Sequence, residues 1–288
     1  MQISSDSNIV TDLDAIHALL RAENEHILLY DTGAIARHEN GYHATDHFIL
    51  DTYNLTSVVF MTETIYNELN MDDKFNLRYQ IYLDKFDSIA VIAEEDFFSF
   101  FSSVITNQHK AFSLMVHAAK KAFQLLPSLK QRIEQCKDYT DLHRSYNQYF
   151  IGSREKNKGE FSLLFLSNLL LLAYPNKKHR FISIDKDVYD IVDNCYLRQS
   201  AIREQIAENV KRDVSIFSTD TLLSSDILEK RIDDTNYSTL FQHFRQPERK
   251  VMYKVYERSI LTEGIKSDSF SNDEFLNKVR KKDIQVIY

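Results

Sequence analysis

Four acidic residues stand where a chain of alternating strands and helices would expose them. Asp31 directly follows the apolar run His26-Ile-Leu-Leu-Tyr30, and Asp185 directly follows Phe181-Ile-Ser-Ile184. Glu68 lies in the helical pattern after Ser57-Val-Val-Phe-Met61, and Glu160 heads the apolar stretch FSLLFLSNLLLLA. Carboxylates gathered from separate strand and helix ends suit one or two hard divalent ions, because Mg²⁺ and Mn²⁺ prefer oxygen ligands and tolerate retained waters. Such an ion acidifies a bound water and offsets charge on a phosphate ester. Each acid alone has an ordinary explanation. Asp31 and Asp185 can be turn or N-cap residues, Glu68 a solvated helix residue, and Glu160 a first-turn partner of the helix dipole. The case for a site is their convergence.

The elements that would position them follow from the apolar pattern. Short buried runs at 26–30, 57–61, 88–92, 181–184 and 214–217 read as strands, with helical periodicity between them. The alternation predicts an α/β fold: three layers, α/β/α, around a mainly parallel central sheet of about five strands. Sites in such sheets form outside the C-terminal strand ends. Ile9, Val10, Leu13, Ile16, Leu19 and Leu20 have helical spacing, so residues 1–25 are expected to contribute an N-terminal helix. The central domain then covers 26–225, with a helical insert at about 107–157 in which Phe112, Met115, Val116, Ala119 and Phe123 share a face and Pro127 breaks the run. Residues 226–288 form a C-terminal extension, with a helix expected around 247–260 and a strand-like run at 284–288.

Composition sets the outer limits. A chain of 288 residues with 43% hydrophobic and 27% charged residues suits one main domain with additions, and 5 Gly and 3 Pro argue against long linkers. No apolar run reaches the ~18–20 residues that span a bilayer, and the opening MQISSDSNIVTDLD has neither a basic leader nor an apolar core. Cys136 and Cys195 are isolated, without metal-ligand spacing, and read as buried thiols of a cytoplasmic protein. The net charge of −7 disfavours broad electrostatic binding of nucleic acid, so any such site must be a local basic surface. No phosphate loop, dinucleotide fingerprint, nucleophile elbow or kinase motif is present.

Taken in order, ILLYDTGAI, SVVFMTETIYNEL, GEFSLLFLSNLL and FISIDKDV resemble the acid-bearing motifs of the PIN-domain family of metal-dependent ribonucleases, over roughly residues 26–225. The resemblance implies a PIN-like sheet in which Asp31, Glu68, Glu160 and Asp185 are catalytic and hold Mg²⁺ or Mn²⁺. It makes Asp187 an alternative or auxiliary metal ligand and Thr32 a support for the first carboxylate. Glu160 stands where Asp is more usual, and the segment between Glu68 and Glu160 is longer than in compact members. The implied activity is hydrolysis of RNA phosphodiester bonds, in a toxin–antitoxin or defence setting. The implied partners are an RNA substrate, a small inhibitory protein and a second copy of the chain, with no membrane.

Lys156 and Lys158 lie beside Glu160, and Lys177, Lys178 and Arg180 precede FISIDKDV; Lys156, Lys158, Lys178 and Arg180 are expected to contact substrate phosphates, and Arg245, Arg249 and Lys250 form a further cluster. The spacing of His43 and His47 would place both on one helix face, as zinc ligands or as polar surface, beside His38 and Asp46. Tyr146 and Tyr149 can stack on bases if exposed. Two other readings stand beside the nuclease: a non-catalytic PIN-like binding module, and a metal-dependent phosphatase of a small phosphorylated ligand.

Overall fold

A computed structural model describes residues 8–22, 24–54, 56–69, 77–151, 157–197, 213–232, 236–257, 260–262 and 264–288. The chain begins with β1 (Ile9–Val10), α1 (Leu13–Arg21), β2 (His26–Tyr30), α2 (Thr32–Thr45), α3 (Asp51–Asn54), β3 (Ser57–Thr62), α4 (Glu63–Leu69), α5 (Leu77–Leu83) and β4 (Ile89–Ile92). A helical region follows, with α6 (Phe97–Val104), α7 (Gln108–Ala122), α8 (Pro127–Ile133), α9 (Tyr139–Tyr149) and α10 (Lys158–Ala173). Then come β5 (Lys178–Ile182), α11 (Lys186–Val192), β6 (Val214–Phe217), α12 (Thr219–Leu228) and α13 (Tyr237–Phe244). The last part holds β7 (Arg249–Glu257), β8 (Ile260–Leu261), β9 (Lys266–Phe270), α14 (Asn272–Arg280) and β10 (Ile284–Val286).

The first six strands form one sheet in the order β1-β4-β3-β2-β5-β6, and every pairing is parallel. Helices cover both faces, giving three layers. Strands buried on both sides must be apolar throughout, which explains why β3 is buried at all six positions and why these strands are legible as continuous apolar runs. From β2 the chain passes to β3 and β4 on one side and returns to β5 and β6 on the other. The strand order therefore reverses between β2 and β5, the position at which open α/β sheets place their ligands. Helix α10, buried along most of its length, packs against α7 and β3, as a helix apolar on all sides must.

Two expectations about the elements are corrected. Ile9 and Val10 open no helix; they pair with Ile89 and Ala90 as an edge strand, making six strands instead of about five. The helix starts only at Leu13, where the Asp12 side chain accepts the Ala15 N–H at 2.9 Å. The helix expected at 247–260 is strand β7, at the centre of a four-stranded antiparallel sheet with β8, β9 and β10. Val251 and Tyr253 are buried while Met252 and Lys254 are only partly so, a period of two and not of 3.6.

This C-terminal sheet shares one continuous apolar core with the central sheet, and α12 runs across the boundary expected near 225. Helix α13 lies against α2 at Gly41, where a Cβ would come within 2.4 Å of the Phe244 ring. No helix among the described residues is long and apolar enough to cross a membrane.

Candidate active site

Asp31 ends β2 at the switch point. Its N–H donates to Ile182 O on β5 at 3.0 Å, and it precedes α2 without capping it through its side chain. Its carboxylate makes no full capping bond, although the nearby Gly33 N–H favours its charged form. It is 6% exposed, and Ser183 Oγ donates to Oδ2 at 3.1 Å. Burial pushes its pKa up to about 6; the Ser183 bond opposes the rise, and the charges of Glu68 and Asp185 add to it.

Glu160 lies in the first turn of α10. Burial, then the charges of Asp31, Glu68 and Asp185, push its carboxyl up to about 7. Glu68, on α4, accepts from Thr32 Oγ1 at 2.5 Å, so the residue after Asp31 holds the acid from the neighbouring crossover. Its pKa is also raised, chiefly by burial, with the Thr32 bond and the charge of Lys158 working against the rise. Asp185 follows β5 and caps α11, accepting the Asp187 N–H at 2.9 Å, while its own N–H donates to Ser183 Oγ at 3.0 Å. Ser183 thus links the two strand-end acids.

The four carboxylates come from four separate elements and feel one another's charge. None is in an ion pair among the described residues. As they stand, no three Asp, Glu, His or Cys side chains among the described residues converge closely enough to ligate one ion. The donor set nevertheless suits a hard divalent cation: it is all oxygen, partly buried, and carries mutual repulsion that a cation would relieve.

No protein-family model, curated protein or solved structure matches the chain. The likeness it shows is one of architecture, a three-layer parallel sheet of Rossmann-like or PIN-like form.

The other expected site residues scatter. Thr32 is at the acids, and Lys158 lies in the same first helical turn as Glu160. Lys156 lies outside the described residues. Lys178 and Arg180 belong to the start and middle of β5: Lys178 is level with His26 and pairs with Glu25, while the Arg180 guanidinium lies 6.0 Å from the Phe217 ring centroid. Strand geometry, at ~3.3 Å per residue, puts Lys178 more than about 15 Å from the Asp185 end. Lys178 lies at the opposite end of β5 from Asp185, and Arg180 midway along it.

Asp187 is exposed on α11. His43 and His47 do not share a helix face, because α2 stops at Thr45 and Asp46 turns left-handed at φ 56°. His43 lies near Glu39, and His47 bonds Asp226 at 2.9 Å. Burial holds His38 near 3, neutral between Tyr30 and Thr219. Tyr146 is buried and donates to Lys158 O, so it offers no face to a base.

The sequence reading passed over Glu94. It follows β4, is buried, and accepts from Ser162 Oγ at 2.6 Å and from Thr64 N–H at 3.3 Å, tying α4 to α10. An acid directly after the apolar run SIAVIA was the available signal. Its two bonds help to bring Glu68 and Glu160 to one place.

Gly159 completes that approach. A Cβ there would lie 2.5 Å from Ile65 Cδ1 and 3.3 Å from Glu68 Oε1. Exchanging Gly for Ala in a helix ordinarily stabilises by about 1 kcal/mol. Here Gly159→Ala is expected to destabilise by roughly 1–3 kcal/mol, because the Ile65 side chain, fully buried, must give way to the methyl group in a packed core. Chemical denaturation reads this directly, and a gain in stability would show that the Ile65 side chain yields to the added methyl group without strain.

Proposed function

We propose that the protein is a PIN-like, divalent-metal-dependent ribonuclease in which Asp31, Glu68, Glu160 and Asp185 hold Mg²⁺ or Mn²⁺. The observation that carries the reading is the gathering of these carboxylates at the sheet's switch point, with Asp31 raised to about 6 and Glu160 to about 7 by burial and mutual charge. A fold keeps such an arrangement at a cost, and neighbouring acids perturbed by burial and by one another are a mark of function. When bound, the ion would supply Lewis acidity at phosphorus and a more acidic water.

The chain's own residues set the rest. Ser183 orients Asp31, and Thr32 orients Glu68. Glu160, raised to about 7 by burial and its acidic neighbours, would ligate the ion as a carboxylate and release its proton on doing so. Lys158 is the cation nearest this turn and would meet a phosphate of the RNA. A cytoplasmic setting and a small inhibitory protein as partner belong to the same reading.

The test is cleavage of labelled single-stranded and structured RNA with Mn²⁺, Mg²⁺ or EDTA. Chelator-sensitive cleavage supports the ribonuclease. Absence of both cleavage and Mn²⁺ binding would overturn it and leave the rival reading, a non-catalytic binding module.

The raised acids also give Mn²⁺ binding a defined pH dependence. Asp31 and Glu160 must lose their protons to ligate, so affinity should rise with pH through about 6 to about 7 and level off above. Titration calorimetry in buffers of different ionisation heat should show proton release below pH 7. Binding that is flat with pH would remove these two residues from the ligand set.

A further inference from the structure

Asp185 depends on a turn whose carbonyl groups are held from outside the central sheet. The Tyr288 hydroxyl donates to Asp185 O at 2.6 Å and lies 3.2 Å from Ser183 O, a three-centre arrangement. Arg249 Nη2 donates to Ile184 O at 3.1 Å. Three consecutive backbone carbonyls, at 183, 184 and 185, are therefore met by two side chains of the C-terminal sheet region. Asp185 O also serves the first turn of α11, through Val188 N–H at 3.1 Å.

Tyr288 is 4% exposed, and its ring packs 4.9 Å from that of Tyr189 on α11. Arg249 is fixed in turn by Asp220, at 2.9 Å. On its inner side the same turn directs Ser183 Oγ to Asp31 and receives the Asp185 N–H. The chain of contacts runs from the C-terminal sheet, through backbone carbonyls, to both strand-end acids.

We propose that the C-terminal sheet is a brace for the site, with Tyr288 and Arg249 as positioning residues that fix the Ser183–Asp185 turn and through it the relation of Asp31 to Asp185. The consequence for metal binding rests on the ribonuclease reading; the brace itself does not. A turn between strand and helix leaves its carbonyls to find partners, and partners that are themselves buried and anchored restrict the turn to one geometry. Residues that orient metal ligands without touching the ion alter affinity about 10-fold to 100-fold when removed.

The experiment compares the full chain with Tyr288→Phe, which removes one hydroxyl and keeps the buried ring. Tyr253→Phe is the control, because its hydroxyl bonds Asp268 within the C-terminal sheet and does not touch the turn. Hydrogen exchange without metal is read at residues 183–187 and at 26–30, and Mn²⁺ affinity by calorimetry.

Tyr288→Phe should speed exchange at 183–187 about 5-fold to 10-fold, leave 26–30 unchanged, and weaken Mn²⁺ about 10-fold. Tyr253→Phe should do neither. Unchanged exchange at 183–187 in Tyr288→Phe overturns the brace whatever the metal does. Faster exchange with undiminished Mn²⁺ affinity overturns the positioning role. If the native chain binds no Mn²⁺, the ribonuclease reading fails on its own, while faster exchange in Tyr288→Phe still upholds the brace.

Discussion

On the proposed ribonuclease reading, asparagine in place of Asp31 should give a protein that melts higher and cuts RNA at least about 1000-fold more slowly, since a negatively charged ligand and the several kcal/mol of transition-state stabilisation that depend on it are lost together. The two effects share one cause. Asp31 titrates near 6 in the folded chain against 3.8 for an ordinary aspartate, because burial disfavours its charge. Between those values the folded state holds more protons than the unfolded one, so stability falls as pH rises from about 4 to about 6, and the full penalty remains above that. The shift corresponds to roughly 3 kcal/mol. Asparagine carries no charge to desolvate and can still accept from Ser183, so melting in EDTA should lose that part of its pH slope. Asp185→Asn should lose comparable activity with little change in stability, because asparagine caps a helix about as well as aspartate. A lower melting temperature for Asp31→Asn at pH 7.5 would refute the electrostatic account of the site.

The strand ends were legible because a parallel sheet buried on both faces forces apolar runs, and an acid that closes such a run has few places to be. His26–Tyr30 before Asp31 and Phe181–Ile182 leading towards Asp185 are of this kind. Glu68 and Glu160 were less legible, since a helix-borne acid is placed by the packing of α4 on α10, which depends on Gly159 and Glu94. Ser183 carried no signal: one polar residue inside FISID is compatible with either face of the strand. The edge strand Ile9–Val10 was absorbed into the helix after it, because two residues contribute to either periodicity. Residues 249–257 were misread for a similar reason, as the charged positions Lys250 and Lys254 mimic a solvated helix face while Val251 and Tyr253 alternate as a strand. The brace was beyond any local pattern. Its donors at 249 and 288 meet acceptors at 183–185 only once two sheets have packed together.

The buried arginine at the joint between those sheets sets the second large effect. Asp220 and Arg245 have fully buried side chains, with Nε to Oδ1 at 2.6 Å, and Arg249 takes the other carboxylate oxygen at 2.9 Å. Arg245 also donates to Asn272 Oδ1 at 2.7 Å and Phe270 O at 2.9 Å, and its guanidinium lies 4.7 Å from the Phe275 ring centroid. One planar group thus gathers α12, the end of β9 and the start of α14.

Asp220→Asn would leave the buried Arg245 guanidinium and the partly buried one of Arg249 with no carboxylate between them, and breaking a buried pair from one side costs about 3–5 kcal/mol. The melting temperature should fall by on the order of 10 °C. Arg245→Met should fall less, because Asp220 keeps Arg249. Arg245→Lys should not restore stability, since an ammonium on a flexible stem cannot reproduce the fork of bonds. Loss of the Asp220 charge should also weaken the hold of Arg249 on the Asp185 turn. Exchange at 183–187 should therefore quicken in Asp220→Asn at temperatures well below its melting. A variant that melts early while this turn stays as protected as in the native chain would show two sheets that share a core without coupling at the site.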